Sequence, residues 1–169
     1  IYGYDIDDNY YFDNVITGNT EWGIYLYDYT YGVNIGNNVI SENGGGIYCD
    51  ELHEANFITG NNIYKNTPYS GIFIEDFYGT TCDIANNVIS ENNNTVGDGG
   101  GIYVFNNLPT GPVNIKGNEI TKNNTAFSGG GICYYGYTAY GNITGNNIYG
   151  NTTTTLPPTN TGKQLYCSN

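Results

Sequence analysis

The chain has 169 residues, of which 16 are acidic and four are lysine, with no arginine, so its formal net charge is -12. This charge repels phosphate backbones and anionic lipid surfaces, and we therefore expect neither nucleic acid nor membrane as a partner. Asparagine, glycine and tyrosine supply 28, 25 and 19 residues, whereas leucine supplies five, a composition that disfavours α-helices.

A nine-residue pattern, Ile-x-(Gly/Asn/Asp)-Asn-x-Ile-x-x-Asn, recurs along the chain and predicts a repeat architecture. In chain order its copies read "YFDNVITGN" (11–19), "IGNNVISEN" (35–43), "ITGNNIYKN" (58–66), "IANNVISEN" (84–92), "IKGNEITKN" (115–123) and "ITGNNIYGN" (143–151). A Gly-Ile pair follows each of the first five copies, at 23–24, 46–47, 71–72, 101–102 and 131–132, and "QLYC" (164–167) takes its place in the sixth. The pattern predicts one domain with repeats near 9–32, 33–55, 56–81, 82–112, 113–140 and 141–169.

Each repeat contains three short strand-like runs, around the first isoleucine, the second isoleucine and the Gly-Ile pair. Residues alternate in the Gly-Ile runs, so that Ile24 and Leu26, or Ile72 and Ile74, are expected to share one face. Three strands per turn of about 24 residues predict an all-β solenoid of about six coils, with successive coils about 4.8 Å apart.

The repeated Asn-x-Ile-x-x-Asn and Gly-Ile motifs, which cover residues 9 to 167, resemble those of right-handed parallel β-helix proteins. That group includes pectate-lyase-like enzymes, NosD-like proteins and adhesin-like surface proteins of methanogenic archaea. The resemblance implies a right-handed parallel β-helix. It does not choose a function, because the fold serves lyases, hydrolases and inert surface proteins.

Stacking the repeats places equivalent residues above one another in columns. Two columns consist of asparagine: Asn14, Asn38, Asn61, Asn87, Asn118 and Asn146, and Asn19, Asn43, Asn66, Asn92, Asn123 and Asn151. Because a side-chain amide both donates and accepts hydrogen bonds, we expect two amide ladders. A third column alternates in charge and predicts attraction between coils: Gly18, Glu42, Lys65, Glu91, Lys122 and Gly150.

The outward positions of the Gly-Ile strands carry an aromatic stripe, whose members are Tyr25, Tyr27, Tyr48, Phe73, Tyr103, Phe105 and Tyr135. An exposed stripe of this kind is typical of surfaces that stack on sugar rings or pack against another protein. The alternative is that the aromatic side chains stabilise the sheet surface by packing on each other.

Carboxylates flank this stripe and stack like charges at coil spacing: Asp28, Asp50, Glu51, Glu75 and Asp76. Such stacking costs free energy unless the groups are solvated, protonated or bridged by a cation. Oxygen ligands suit Ca²⁺, so these residues are a candidate calcium site, although no cofactor is required. A solvated acidic surface is the alternative.

The same carboxylates support a hypothesis of catalysis. Residues one coil apart lie near the separation of about 5 Å found between the carboxyl groups of retaining glycosidases, so Asp50, Glu75 and Asp76 are candidate acid and nucleophile or base. Pectate-lyase-type β-helices, however, use Arg or Lys beside bound Ca²⁺ to abstract a proton, and this chain has no arginine. We therefore expect a protein that is not an enzyme, with a polysaccharide lyase or hydrolase as the alternative.

The strand-like segments at both ends, "IYGYDIDDNYYF" (1–12) and "KQLYCSN" (163–169), predict uncapped solenoid ends. Uncapped ends imply either a piece of a longer β-helix or head-to-tail assembly into a filament. We expect an extracellular or cell-surface structural protein, adhesin-like in character, whose partners are copies of itself and surface glycans.

Four cysteines, an even number, are typical of a secreted protein with disulfides, and three pairings are open to them. Cys133 and Cys167 fall on the same strand of adjacent coils, in registers that differ by one residue, and pairing them leaves Cys49 with Cys82. Asn93, in an Asn-Asn-Thr sequence at a corner loop, is the expected glycosylation site.

Overall fold

In the computed structural model the protein is a right-handed parallel β-helix of about six coils, described over residues 1–106, 110–136, 141–154 and 162–168. Within those ranges every regular element is a strand, and every strand pair is parallel. No helix that could cross a membrane occurs in the described part of the chain. The predicted fold class is confirmed.

The described strands are, in chain order, β1 (Tyr2–Tyr4), β2 (Tyr10–Phe12), β3 (Val15–Thr17), β4 (Trp22–Tyr27), β5 (Thr30–Tyr31), β6 (Asn34–Gly36), β7 (Val39–Ser41), β8 (Gly45–His53), β9 (Ala55–Thr59), β10 (Asn62–Tyr64), β11 (Ile72–Phe77), β12 (Thr81–Ala85), β13 (Val88–Ser90), β14 (Asn93–Asn94), β15 (Ile102–Asn106), β16 (Val113–Lys116), β17 (Glu119–Thr121), β18 (Asn124–Thr125), β19 (Ile132–Gly136), β20 (Ile143–Thr144), β21 (Asn147–Tyr149), β22 (Thr152–Thr153) and β23 (Leu165–Ser168).

Three long sheets form the faces of the solenoid, and each takes one strand from every coil. Sheet A holds the Gly-Ile strands in the order β1-β4-β8-β11-β15-β19-β23, with β5 beside β8. Sheet B is β2-β6-β9-β12-β16-β20, and sheet C is β3-β7-β10-β13-β17-β21. A small sheet D, β14-β18-β22, forms at the corner where the later repeats carry extra residues. Neighbours in every sheet come from successive repeats, which is the stacking that the sequence period predicts.

The core consists of isoleucine columns that run the length of the rod. Sheet C shows the register, because Ile63 pairs with Ile40 on one side and Ile89 on the other. The buried isoleucines are Ile24, Ile47, Ile72, Ile74, Ile102 and Ile132 in sheet A, Ile35, Ile58, Ile84 and Ile115 in sheet B, and Ile16, Ile40, Ile63, Ile89 and Ile120 in sheet C. Each such side chain contributes about 2 kcal/mol of hydrophobic stabilisation.

Both asparagine columns form the predicted ladders. Asn66 is typical, since its Oδ1 accepts hydrogen bonds from the backbone N–H of Asn43 at 3.0 Å and from the Nδ2 of Asn43 at 3.2 Å. Its own Nδ2 donates to Asn92 Oδ1 at 2.8 Å and to the Ile40 carbonyl at 3.2 Å. Every polar atom of this buried amide is therefore paired, and the asparagines at the solenoid corners are scaffold residues.

The charged column does not form the predicted ion pairs. Within the described ranges the one salt bridge is Lys116 Nζ to Asp83 Oδ1, at 3.2 Å, on sheet B. The column residues Gly18, Glu42, Lys65, Glu91, Lys122 and Gly150 instead share a left-handed backbone, with φ between 56° and 73°. This conformation favours glycine and tolerates a long polar side chain in solvent, so backbone geometry explains the column better than charge does.

The glycine before each sheet A isoleucine is required by close packing between coils. A Cβ added at Gly46 would lie 2.1 Å from the carbonyl oxygen of Gly71. A Cβ added at Gly71 would lie 2.8 Å from the Nδ2 of Asn92, the ladder residue of the next coil. The glycine of the Gly-Ile pair therefore marks a position where the backbones of successive coils are too close for a side chain.

The predicted disulfides are wrong, because all four cysteines are free. Cys133 pairs in register with Tyr166, and Cys167 pairs with Tyr134, so the two cysteines point to opposite faces of sheet A. Cys49 lies on sheet A and Cys82 on sheet B, where both thiols are buried in the core. Burial raises the pKa of the Cys82 thiol to about 12, which keeps that thiol protonated at neutral pH.

Candidate functional site

The outward face of sheet A brings the whole predicted aromatic stripe together. Register places Tyr25 beside Tyr48, Tyr48 beside Phe73, and Phe73 beside Tyr103. A neighbouring column continues through Phe105 and Tyr135. Successive side chains of a strand point to opposite faces, so the isoleucines of these strands enter the core and the aromatic residues between them point outward.

The rings of this face contact each other along the rod. Tyr25 stacks on Tyr48 with centroids 4.8 Å apart, Phe73 stacks on Tyr103 at 4.6 Å, and Tyr48 meets Phe73 edge-on at 5.2 Å. Tyr27 and Phe105 join the same network, at 6.2 Å from Tyr25 and 6.3 Å from Tyr103 respectively. The rings therefore stabilise one another, as the alternative interpretation predicts, and together they form one surface. Binding of sugars or of another protein at this surface stays a prediction.

Exposure varies strongly within the stripe. The Tyr27 side chain is 41% exposed, whereas Tyr48 is only 8% exposed. Trp22 covers Tyr48, with ring centroids 5.5 Å apart, and stacks on Tyr69 at 5.3 Å. Tyr27 is therefore the most open ring of the stripe and Tyr48 the most buried, while Tyr25, Phe73, Tyr103, Phe105 and Tyr135 are half-buried.

Two open grooves follow this face and meet at Trp22 and Tyr25. The first has a volume of about 630 Å³ and is lined by Ile1, Tyr2, Asn19, Thr20, Glu21, Trp22, Tyr25 and Tyr27. The second has a volume of about 380 Å³ and is lined by Trp22, Tyr25, Tyr48, Tyr69, Ser70, Phe73, Asn94, Val96, Gly97 and Tyr103. Aromatic walls with a few polar groups at the edge are the usual lining of a ligand site.

Asp50 and Glu75, two of the candidate catalytic residues, are register partners on adjacent strands of sheet A. The hydroxyl of Tyr48 donates a hydrogen bond of 2.6 Å to Glu75 Oε2. Burial, followed by repulsion from Glu75 and Glu51, raises the pKa of Asp50 to about 6. Burial and the bond to Glu75 raise the pKa of Tyr48 well above its usual range. The two carboxyl groups thus share one desolvated patch beside the aromatic face.

The third candidate, Asp76, lies in β11, one residue before that strand ends. It has a left-handed backbone with φ of 46°, as do Glu51 in β8, at 49°, and Asp28 just after β4, at 61°. In the described part of the chain, no three His, Cys, Asp or Glu side chains are grouped closely enough to hold a metal ion. The calcium site at Asp28, Asp50, Glu51, Glu75 and Asp76 stays a prediction.

Asn93, the expected glycosylation site, lies in sheet D at a half-buried position, and its Oδ1 accepts a hydrogen bond from Asn124 Nδ2 at 2.8 Å. The site faces the corner where later repeats carry extra residues. Its modification stays a prediction.

Several residues of this surface lie outside the repeat pattern, and sequence reasoning missed them. Tyr2 precedes the first recognisable copy of the motif, yet it stacks on Tyr25 at 5.6 Å. Trp22, the first residue of β4, and Tyr69, in the variable corner before β11, lie just before a Gly-Ile pair. A second stack lies at the far corner, where His53 packs between Tyr31 at 4.7 Å and Tyr78 at 4.9 Å. Part of the signal for this stack was available, since His53 and Tyr78 each follow a sheet A isoleucine by six residues, whereas Tyr31 follows its isoleucine by seven.

Comparison with known proteins supports the fold rather than a particular activity. No curated protein and no solved structure matches the chain. A family model described as "Right handed beta helix region" matches residues 1–153. That family contains both enzymes and non-enzymes, so membership alone does not choose between them. With its parallel coils, its amide ladders and this match, the chain belongs to the right-handed β-helix family.

Proposed function

We propose that the protein is an extracellular, adhesin-like structural β-helix whose sheet A face binds carbohydrate surfaces. The observation that carries this proposal is the connected aromatic network, which opens into two adjoining grooves at Trp22 and Tyr25. Flat rings offer apolar contact area to the faces of sugar rings at a small cost in side-chain entropy.

The polar groups at the edge of the first groove suit the same ligand. Asn19, Thr20 and Glu21 line it together with the rings of Tyr25 and Tyr27. Amide, hydroxyl and carboxylate groups can exchange hydrogen bonds with sugar hydroxyls, while the rings take the apolar face. The periodic stack extends the surface along the rod, which suits a polymer better than a small molecule.

Retention on insoluble polysaccharides, such as cellulose and chitin, tests this proposal. We expect Tyr27→Ala and Tyr25→Ala each to weaken retention about tenfold, because one aromatic contact contributes about 1.4 kcal/mol. Tyr149→Ala is the matched control, since Tyr149 is 49% exposed but lies on sheet C. Equal retention of all three variants and the native protein would contradict a role for sheet A.

Head-to-tail self-association is the second part of the structural proposal. The hydrophobic side chains at the two ends of the described rod, Ile6 and Tyr11 at one end and Ile143 and Ile148 at the other, pack against the core but stay partly exposed. The outer edges of β1 and β21 have no strand neighbour among the described residues. Such edges and apolar ends favour stacking of another coil. Electron microscopy of the native protein tests this part, with filaments of stacked rods as the expected result.

Polysaccharide hydrolysis is a second candidate function, favoured by the Asp50 and Glu75 pair. The two residues are register partners on adjacent strands, whose backbones lie about 5 Å apart. A similar separation between carboxyl groups is typical of retaining glycosidases. With its raised pKa, Asp50 would serve as the acid and Glu75 as the nucleophile.

An assay for newly released reducing ends tests hydrolysis. If the pair is catalytic, Glu75→Gln should lower the rate at least about 100-fold. Glu119→Gln is the matched control, because Glu119 also accepts a tyrosine hydroxyl, from Tyr149 at 3.2 Å, but lies on sheet C. Absence of activity in the native protein on acidic and neutral polysaccharides would dismiss this candidate.

A further inference from the structure

The second asparagine ladder ends on a residue of a different type. In each internal coil, the backbone N–H and Nδ2 of one ladder asparagine donate to the Oδ1 of the next, as Asn123 does to Asn151 at 2.9 and 3.0 Å. Asn151 in turn donates from Nδ2 to Gln164 Oε1 at 2.8 Å and from its backbone N–H to the same oxygen at 3.4 Å. Gln164 Nε2 returns a bond of 3.2 Å to the Asn151 carbonyl. The glutamine oxygen thus accepts the two bonds that a seventh ladder asparagine would accept, although its Nε2 donates to the Asn151 carbonyl rather than to an isoleucine carbonyl.

The backbone of Gln164 nevertheless occupies another column, that of the glycine before each sheet A isoleucine. Leu165 pairs with Ile132, and the N–H of Ile132 donates to the Gln164 carbonyl at 2.9 Å, so Gln164 stands where Gly131 stands one coil earlier. Glycine in this column leaves room for the ladder residue of the following coil. A Cβ at Gly131 would lie 2.9 Å from Asn151 Nδ2, and one at Gly101 would lie 3.0 Å from Asn123 Nδ2.

These two observations fit together. At internal coils the residue in this column is glycine, which has no side chain, and the ladder asparagine of the following coil occupies the space beside it. At Gln164 a side chain grows from the glycine position into the space where the next asparagine would lie, and it supplies the missing acceptor. The first ladder differs, because its last residue, Asn146, receives bonds from Asn118 and donates from Nδ2 to the Ile115 carbonyl, with no glutamine in an equivalent place among the described residues.

We propose that Gln164 is a cap that closes the second asparagine ladder and thereby opposes the stacking of a second copy on this end of the rod. The opposition to stacking rests on the head-to-tail association proposed above. If a second copy stacked in register on this end, its first coil would contact Gln164. The first asparagine of its second ladder, Asn19, would then lie in the space that the Gln164 side chain fills. End-to-end association therefore requires Gln164 to leave that space first.

Hydrogen exchange measured by NMR on the dilute protein tests the cap without any need for association. Gln164→Ala should speed exchange of the Asn151 backbone amide at least about tenfold, since the amide loses its acceptor. Gln164→Glu keeps an acceptor oxygen and should stay within about twofold of the native rate. Lys163→Ala, at the exposed neighbouring residue, is the control and should also stay within about twofold. An unchanged rate in Gln164→Ala would overturn the cap.

Sedimentation velocity at matched concentrations tests the opposition to stacking. Gln164→Gly restores the glycine column and should form larger assemblies than the native protein. Gln164→Ala should not, because its Cβ would meet an arriving Asn19 as closely as a Cβ at Gly131 would meet Asn151. Native protein that assembles as strongly as Gln164→Gly would overturn the opposition to stacking. Faster Asn151 exchange without assembly of any variant would support the cap and count against head-to-tail association itself.

Discussion

At the scale of single residues, the same residue types serve opposite purposes, depending on the column in which they lie. Asparagine at an internal ladder position is buried and fully paired, as Asn66 is, whereas Asn62 four residues earlier is exposed. Acidic residues divide similarly. Asp83 is held in a salt bridge with Lys116, and Asp50 lies in a desolvated patch of like charges. Column, rather than residue type, therefore decides the effect of a substitution.

Asn66→Ala should be among the most destabilising substitutions outside the apolar core. It removes the acceptor of two hydrogen bonds from Asn43 and leaves those donors buried. We expect a loss of about 3 kcal/mol in the free energy of unfolding, measured by urea denaturation. Asn62→Ala, in the same repeat, should change it by less than about 0.5 kcal/mol. Similar losses for both variants would show that the ladder bonds contribute little.

Asp50 should make the protein less stable as the pH rises. The pKa of its carboxyl is raised in the folded state to about 6, so the folded state binds the proton more tightly than the unfolded state does. Stability from this group is therefore present at about pH 4 and lost as the pH rises to about 6. Asp50→Asn should raise the free energy of unfolding at pH 7 by about 1 kcal/mol, a figure reduced for solvent screening of a partly exposed group.

Asp83→Asn is the control with the opposite sign. Burial alone would raise the pKa of Asp83, but hydrogen bonds from Asn114 and Lys116 outweigh it and lower the pKa. This carboxylate stabilises the fold above its unfolded pKa, and that stability is lost as the pH falls through the folded value. Asp83→Asn should therefore destabilise the protein at pH 7. Urea denaturation at pH 4.5 and at pH 7 gives the free energy of unfolding of both variants. If Asp50→Asn and Asp83→Asn changed it by the same amount and in the same direction, this assignment of charges would be contradicted.

At the scale of elements, each coil is three short strands joined by corners, and the corners carry most of the constraints. Left-handed backbone recurs at several columns, among them the charged column described above and Asp13, Asn37, Gly60, Asn86, Gly117 and Gly145, where φ lies between 55° and 67°. Asparagine, aspartate and glycine tolerate this conformation best, which explains the third position of the nine-residue motif. Strand positions, in contrast, are set by which side chains face the core.

Two glycine substitutions separate steric contact from backbone conformation. Gly46→Ala would bring its Cβ to 2.1 Å from the Gly71 carbonyl oxygen, a backbone atom that cannot move alone, and should cost about 3 kcal/mol or more. Gly18→Ala meets no atom within 4 Å but has a φ of +73°. It should cost only about 1 kcal/mol, the price of a left-handed alanine. Thermal unfolding of both variants measures the difference, and an equal cost would refute the close contact between coils.

The sequence predicts most of this architecture because the same motif occurs in six successive repeats. Period, strand positions, core isoleucines and both ladders follow from columns of identical residues. Disulfide pairing cannot be predicted from the repeat in this way, because it depends on the exact register of individual cysteines. Cys133 and Cys167 are on adjacent strands, but a register difference of one residue puts them on opposite faces. The aromatic site is likewise only half predictable, since Tyr69 lies in a corner, and Trp22 directly after one, whose length changes from coil to coil.

At the scale of the whole molecule, the rod is held together almost wholly by neighbouring coils. Each strand of a long sheet pairs with the strand before and the strand after it, so an internal coil is stabilised from both sides. A coil at the end of the described rod has one such neighbour. Stability in solenoids of this kind is approximately a sum of coil terms and nearest-neighbour terms. The ends should therefore open more readily than the middle.

Native-state hydrogen exchange tests this distribution directly. Amides of β10 and β13, in the middle of sheet C, should exchange slowest, and those of β3 and β21, at its two edges, should exchange at least about tenfold faster. The Gln164 cap adds an asymmetry, because it protects the corner at Asn151 while the first ladder ends at Asn146 without such a residue in the described chain. Asn151 should then exchange more slowly than Asn146, although both belong to the same coil. Uniform protection along sheet C would instead mean that the rod opens as one cooperative unit.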